Sequence, residues 1–401
     1  MLNIFIDTVN GSNAMFNNAT GPTCEYDTEL YQTPFALQPH WYYDAAVYRA
    51  EAKAVYGNNW LCAGHKSELK NPGDFVRLDF CDESVLLVRG RDGELRGFFN
   101  VCQHRGHILV DERRGRLRGG IRCPYHSWAY SLDGALKQVP NQENIPGFPI
   151  TDICLPQVKL EEYGNFVWVN LNLEARPMSE QMPGLDAAIA EFIPDVEDAD
   201  FFEGNSTTLP INWKTQVDNA IDTYHFQFSG PAHRQLTNSM EFANFEREFH
   251  GNWLVEWGLP AQSSQGAAYD FDASKTRGKV DGFIIIWVYP DLQIVGMPAS
   301  RTFMTYRTTP FGPEKTVLDY AYSGAPEAKG SETSRAAIDW MNGPLSKEDN
   351  ALTTGVHLGH KSQGFRGSRF LIDSEKSRYS EHPGSAFHQR LHDQVVPFLD
   401  R

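Results

Sequence analysis

The chain has 401 residues and carries 36 Lys+Arg against 51 Asp+Glu, a formal charge of −15. Hydrophobic residues at 41% and charged residues at 22%, with no long block of one sign, exclude a disordered or fibrous chain. The acidic balance argues against nucleic-acid binding as the main task, because phosphate neutralisation needs a basic face.

At about 150 residues per domain the length predicts two or three domains. The opening MLNIFIDTVNGSN has neither a basic region nor an apolar run of signal-peptide length. No stretch approaches the roughly 20 apolar residues of a membrane helix. The expectation is a soluble, cytoplasmic protein without a membrane segment. Six cysteines are too sparse for a disulfide framework. Cys24, Cys62, Cys81 and Cys154 read as ordinary buried thiols, and His40, His65 and His107 as structural.

In chain order, residues 84–88 form a short apolar strand, Arg91-Asp92-Gly93 a turn, and 95–101 a second strand that runs into Cys102-Gln-His104-Arg-Gly-His107. Residues 121–122 lead into Cys123-Pro-Tyr-His126-Ser-Trp128, and Asp133-Gly134 makes the next hairpin turn. Two thiolates and two imidazoles can bind zinc, or hold an iron–sulfur cluster in which two His replace two Cys on one iron. Zinc spacings usually leave two or more residues between paired ligands, so Cys102-x-His104 suits a cluster better. Between the loops, RRGRLRGGIR (113–122) is the only basic cluster. It reads as a solvated hairpin tip or as a meeting point for an acidic electron donor.

Residues 166–171 read as a strand, 177–184 as a loop and 185–192 as a helix. The spacing of Val217, Ile221, Tyr224 and Phe228 predicts an amphipathic helix over 213–228. A second stripe carries Asp218, Asp222 and His225 until Gly230-Pro231 breaks the helix, and His233 follows. Strands follow at 252–257, 282–289, 293–297, 302–308 and 316–323, with a tight turn at Tyr289-Pro290-Asp291. At 345–358, Leu345, Leu352 and Val356 define an apolar stripe that also holds Asp349. A carboxylate facing a core needs a metal or a cationic partner. Two His and one carboxylate on one face of Fe(II) form the usual oxygen-activating arrangement. Strands grouped together with helices at the ends predict an α+β fold with an antiparallel sheet; no internal repeat or low-complexity tract is present.

The motifs CQHRGH and CPYHSWAYSLDG resemble the large catalytic subunit of the Rieske-type non-heme iron oxygenases, as does the run NWK, Asp218-Asn219, Asp222-x-Tyr224-His225. The cluster motif alone would also suit a Rieske electron-transfer protein without oxygenase activity; the second metal site is the discriminator. The resemblance implies an all-β Rieske domain inserted in a helix-grip catalytic domain: residues 1–49 as the first part of the catalytic domain, 50–165 as the Rieske domain and 166–401 as the mononuclear iron domain. It implies a [2Fe–2S] cluster on Cys102, His104, Cys123 and His126, and iron on His225, a following His and Asp349 of the pair Glu348-Asp349. One departure stands out. The second histidine comes eight residues after the first, at His233, with no other before His250, so the ligand loop must be longer than usual if His233 is the ligand.

The resemblance further makes Asp222 the residue linking the two metal sites across subunits of a homotrimer. A separate flavin/iron–sulfur reductase would supply electrons from NAD(P)H for O2 activation, since the chain shows no Gly-rich dinucleotide motif. Residues 37–75 and 359–395 resemble the branch acting on quaternary ammonium compounds, such as glycine betaine and stachydrine demethylases, although His357 replaces a Gln often seen there. The implied reaction is hydroxylation of an N-methyl group with loss of formaldehyde. Trp253, Trp257, Phe226 and Phe228 read as core or as walls of a cation-binding pocket; the same aromatics would suit aromatic-ring hydroxylation, the alternative reading.

Overall fold

A computed structural model describes residues 34–399. After a short 3-10 turn at Pro39–Tyr42, helix α1 (Ala45–Glu51) is capped by Asp44, whose carboxylate accepts from Ala46 N; a π-helical turn at Ala52–Tyr56 prolongs it. This segment packs on the C-terminal helix α8 (His382–Leu399), with Trp41, Tyr42, Val47 and Val55 sharing a core with Phe387, Leu391 and Val395.

Ten strands precede the catalytic sheet. Strand β1 (Leu61–His65) pairs with β10 (Phe166–Asn170), and β10 with β9 (Lys159–Tyr163). Strands β2 (Asp74–Phe80), β3 (Glu83–Arg89), β4 (Leu95–Phe99) and β5 (Arg114–Arg116) form a second sheet in the order β4-β3-β2-β5. Strands β6 (Ile121–Arg122), β7 (Ala129–Tyr130) and β8 (Leu136–Gln138) form a third. The last two sheets close over one core holding Leu86, Phe98, Ile121, Trp128, Cys102 and Cys123.

Residues 178–181 form a short helical turn, α2 (Met178–Gln181), where a loop was expected, because buried Met178 anchors it under β10. Helix α3 (Leu185–Phe192) follows as the spacing predicts. The catalytic sheet has seven antiparallel strands: β11 (Asp200–Leu209), β12 (Glu246–Phe249), β13 (Trp253–Gly258), β14 (Phe283–Val288), β15 (Leu292–Gly296), β16 (Thr302–Pro310) and β17 (Thr316–Gly324), in the order β11-β17-β16-β15-β14-β13-β12. The period-2 alternation of β14 splits its apolar residues between two faces. Ile284, Ile286 and Val288 meet α3, whereas Phe283 and Ile285 face the helices that carry the candidate metal ligands.

On that face α5 (Pro231–Asn238) and α7 (Ser346–His360) carry His233 and Asp349, while α4 (Trp213–Ala220) and α6 (Glu332–Trp340) pack on the same side without supplying a ligand. The expected helix over 213–228 is broken. It stops at Ala220 and resumes as a 3-10 turn at Tyr224–Gln227. The Asp222 carboxylate takes the Tyr224 N–H at 2.6 Å, which competes with helix propagation. The apolar stripe ends there too: Val217 and Ile221 are buried, but Tyr224 and Phe228 are exposed.

In α7 the expected stripe is displaced as well. Leu345 is buried, but Leu352 and Val356 are exposed, and the inward face carries Thr353, His357 and His360. Polar partners make that face affordable, since His357 bonds Glu314 and the Asn212 N–H. Asp349 points inward on the Thr353 side of the helix. Cys62 and Cys81 are buried as expected, Cys154 is exposed, and Cys24 lies outside the described residues.

Candidate active site

The two Cys–His loops share one backbone design. The Cys102 N–H donates to His107 O and the Cys123 N–H to Trp128 O, both at 2.8 Å. Within each loop the fourth residue after Cys returns its N–H to the Cys carbonyl: Gly106 to Cys102 and Ser127 to Cys123, both at 3.0 Å. Both take the left-handed conformation, with φ 74° at Gly106 and 60° at Ser127. The loops therefore turn back on themselves and present Cys102 and Cys123 inward, where both are buried.

His104 and His126 stand at the outer end with ring centroids 4.7 Å apart, and Trp128 stacks on His104 at 4.7 Å and 8°. The Tyr130 hydroxyl accepts the Gln103 N–H at 3.1 Å and lies 3.4 Å from Cys102 Sγ. Burial and the adjacent Cys123 push the Cys102 thiol up. His126 Nδ1 is buried with no partner. Two desolvated sulfurs and an orphaned imidazole nitrogen are a donor set that an iron–sulfur cluster satisfies.

Three arginines of the basic run between the loops are taken up in ion pairs. Arg113 pairs with Asp319 at 2.7 Å, Arg114 with buried Glu68 at 3.0 Å and Arg116 with Asp74 at 2.6 Å. Arg114 also lies 4.7 Å over the Phe201 ring. Arg113 and Arg114 thus fasten the cluster-bearing sheets to β11 and β17, so the run is not a freely solvated tip.

The second site forms where the 3-10 turn, α5 and α7 meet. His225, His233 and Asp349 each offer one ligand atom, all within 4.8 Å of one another. Asp349 Oδ1 lies 3.1 Å from His233 Nε2 and 3.9 Å from His225 Nε2; it is buried without a hydrogen-bond partner. Each imidazole is fixed through its other nitrogen. His225 Nδ1 meets Asp222 Oδ2 at 3.0 Å and His233 Nδ1 meets Glu348 Oε1 at 2.5 Å. A carboxylate behind each histidine is the outer shell a metal-ligating imidazole uses. The donor set fits a facial iron site.

The eight-residue spacing now has a structural reason. His233 sits in the first turn of α5, which begins at Pro231. Glu348 accepts the Ala232 and His233 N–H groups at 3.1 and 3.2 Å, so it caps α5 while orienting the imidazole. Burial alone would lower the His233 pKa, but Asp349 and Glu348 together raise it. The role of Glu348 was missed in the sequence; the capping pattern that reveals it joins residues 115 positions apart.

A cavity opens from the three ligands toward the sheet. Phe226, Phe283, Tyr306 and Tyr320 supply its rings, and Gln216, Asn219, Gln293 and Asn350 its amides. Trp253 and Trp257 belong instead to the core on the opposite face of the sheet, and Phe228 is 66% exposed. On the far side of His225 a groove is lined by Asp218, Asp222, Leu352, Val356 and Phe370.

Known proteins match both parts of the chain. Residues 59–149 match the Rieske [2Fe-2S] domain and residues 196–396 match the ring hydroxylating alpha subunit catalytic domain. The carnitine monooxygenase oxygenase subunit of Escherichia coli (strain K12) is 34% identical over 361 residues, covering 90% of this chain and 94% of the relative. A chloroplastic choline monooxygenase of Beta vulgaris is 25% identical over 92% of this chain and 80% of its own length. Among solved structures, a quaternary ammonium Rieske monooxygenase superposes with TM-score 0.82 at 28% identity, covering 90% of this chain and 96% of the other. A naphthalene 1,2-dioxygenase shares the fold, with TM-score 0.76 at 18% identity over 90% and 92% of the two chains. A Rieske [2Fe–2S] cluster and a mononuclear iron that uses O2 with reductase-supplied electrons come with both matched domains. The chain therefore belongs to the Rieske-type non-heme iron oxygenases and is an oxidoreductase, a catalytic large subunit of that family.

Proposed function

We propose that the chain oxidatively demethylates a quaternary ammonium substrate of the betaine type. In this reading Cys102, His104, Cys123 and His126 hold the cluster, and His225, His233 and Asp349 hold the iron. The observation that carries it is the cavity beside those three ligands, with four aromatic rings and no Lys or Arg among the residues that line it. Aromatic faces attract a quaternary cation, and the amides of Gln216, Gln293 and Asn350 are the polar groups available to a carboxylate or hydroxyl on the same substrate.

When bound, the iron supplies O2 activation and C–H oxidation. The overall change is R–N(CH3)3+ + O2 + 2e− + 2H+ → R–N(CH3)2CH2OH+ + H2O, and the carbinol then collapses to R–N(CH3)2, formaldehyde and H+. A quaternary nitrogen has no lone pair to oxidise, so attack falls on carbon. The protein's part is placement. The rings hold the cation, Gln293 fixes the end of α4 by donating to Ala220 O at 2.7 Å, and Asp222 and Glu348 hold the two imidazoles. The likeness to relatives named for carnitine and choline supports the substrate class.

Family membership leads us to propose also a cytoplasmic homotrimer fed by a separate flavin/iron–sulfur reductase that draws on NAD(P)H. Asp222 of one subunit would meet the cluster of the next, and the surface groove beside Asp222, with exposed Leu352 and Val356, supports a subunit contact there. No helix among the described residues is long and apolar enough to cross a membrane.

A single turnover of the iron-loaded, chemically reduced protein with O2, against N-methylated betaines and aromatic acids, tests the reading. Stoichiometric formaldehyde from one betaine is expected. Trimethylamine without formaldehyde would move the attack to the carbon chain, and ring-hydroxylated product without either would move the protein to the aromatic alternative.

A further inference from the structure

The Rieske part of the molecule carries a groove of about 440 Å3 on the outer side of β6–β8. Four cations line it, Arg91, Arg96, Arg122 and Lys137, against the carboxylates of Asp92 and Asp133. Arg96 is spent on Asp92, with two bonds at 2.9 and 2.7 Å. Arg91, Arg122 and Lys137 are exposed and form no ion pair among the described residues. Lys137 acts on Asp133 only at a distance, together with Arg96 holding its carboxyl below the usual range after its bonds to Ser131 and Ala135. Arg118, one residue from the groove at Gly119, is exposed as well. On a chain of net charge −15 this is a local excess of positive charge. It differs from Arg113, Arg114 and Arg116, which are each paired with a carboxylate.

The groove also touches the cluster loops. Tyr130 lines it, and the Tyr130 hydroxyl lies 3.4 Å from Cys102 Sγ. Arg122 immediately precedes Cys123 and donates to Ser127 O in the same loop at 3.3 Å. One side chain therefore separates the groove floor from a sulfur of the first loop, a short path for an electron entering from outside.

We propose that this groove is the docking surface for the acidic face of the iron–sulfur electron donor. The inference rests on the assignment of the cluster to Cys102, His104, Cys123 and His126. Complementary charge steers such an encounter, raises its rate and makes it sensitive to salt.

The test uses the full-length, cluster-loaded protein and, as probe, a chemically reduced acidic plant-type [2Fe–2S] ferredoxin, with dithionite as a small-molecule control. The rate constant for cluster reduction is measured by stopped flow, and binding of the oxidised ferredoxin by calorimetry. We expect the wild-type rate to fall as salt rises. In Arg91→Glu/Lys137→Glu, both the rate and the affinity at low salt should fall about tenfold, with reduction by dithionite unchanged. Arg91→Gln/Lys137→Gln should fall between the two. Wild-type rate and affinity in the Glu variant would overturn the proposal, as would an equal loss in Lys53→Glu on the π-helical turn, which would mark a general charge effect. Equal slowing with dithionite would place the effect on the cluster and overturn it too. A wild-type protein without a Rieske spectrum would instead refute the cluster assignment.

Discussion

The two candidate metal-binding regions place their candidate ligands by different means. In the cluster loops the backbone does the work: each loop closes within six residues through Cys N–H, Cys C=O and a left-handed residue. At the iron site the backbone contributes little. His225, His233 and Asp349 come from three elements, and side-chain carboxylates from Asp222 and Glu348 hold the imidazoles. Local hydrogen bonds make a site that forms wherever its hairpins form. Ligands from three elements, with Glu348 reaching across 115 residues to His233, make one that exists only once the 3-10 turn, α5 and α7 have packed. The first should tolerate distant changes, and the second should fail when any partner shifts.

The largest effects separate the two regions outright. Cys102→Ser should bleach the visible cluster spectrum. Asp349→Ala should abolish turnover and iron retention while leaving that spectrum intact, because Asp349 has no contact with the loops. Visible spectra and iron content read after gel filtration check both; loss of the cluster in the Asp349 variant would break the proposed independence.

A matched pair of glycines sharpens the contrast. A Cβ at Gly230 would lie 2.4 Å from Glu348 Oε2, whereas a Cβ at Gly106 would meet nothing within 4 Å. Gly230→Ala should therefore displace the carboxylate behind His233 and lower iron affinity by about 10–100-fold, the usual consequence of losing an outer-shell partner. Glu348→Gln should approach the same loss, since an amide cannot replace the anion. Gly106→Ala should cost only the left-handed backbone, about 1–2 kcal/mol, with cluster content unchanged. Chelator-release kinetics for the first two and denaturant melts for the third provide the measurements. Retained iron in both Gly230→Ala and Glu348→Gln would show that His233 needs no carboxylate behind it.

The same contrast explains what could be read from the chain alone. The two turned-back loops at 102–107 and 123–128 were legible because the backbone bonds that close each of them lie within its own six residues. Strands such as β14 and β17 were legible because burial imposes apolar runs. The helix break at 221 was not, since one side-chain bond from Asp222 to Tyr224 N outweighs a good apolar stripe. The face of α7 was misread for a related reason: His357 and Thr353 are polar yet inward, made affordable by Glu314 and the Asp349 carbonyl. Glu348 was visible only as half of an acidic pair, because its partner is the start of a helix far away in sequence. The pairing of Arg113, Arg114 and Arg116 was hidden because Glu68, Asp74 and Asp319 come from other elements.

Between the two regions runs a seam that pH should loosen. His65 on β1 is buried between Phe166 of β10 and Phe303 of the catalytic sheet, at 5.3 and 5.6 Å. Its Nε2–H donates to Val196 O at 2.8 Å while Nδ1 accepts the Ser67 N–H at 3.2 Å, a pattern that only the neutral ring satisfies. Burial lowers its pKa to about 4, although the bond to Val196 opposes the shift. The folded state thus binds fewer protons than the unfolded chain between pH 6.5 and 4. The contribution of His65 to stability is complete above 6.5 and is lost as pH falls through that window. His65→Gln keeps a donor for Val196 O and removes the titration, so its melting temperature should fall less steeply from pH 7 to 4.5 than that of wild type. His360 and His382, also lowered to about 4 by burial, keep part of the slope in the variant. Parallel melting curves for the two proteins would show that acid acts at those histidines and leaves the seam untouched.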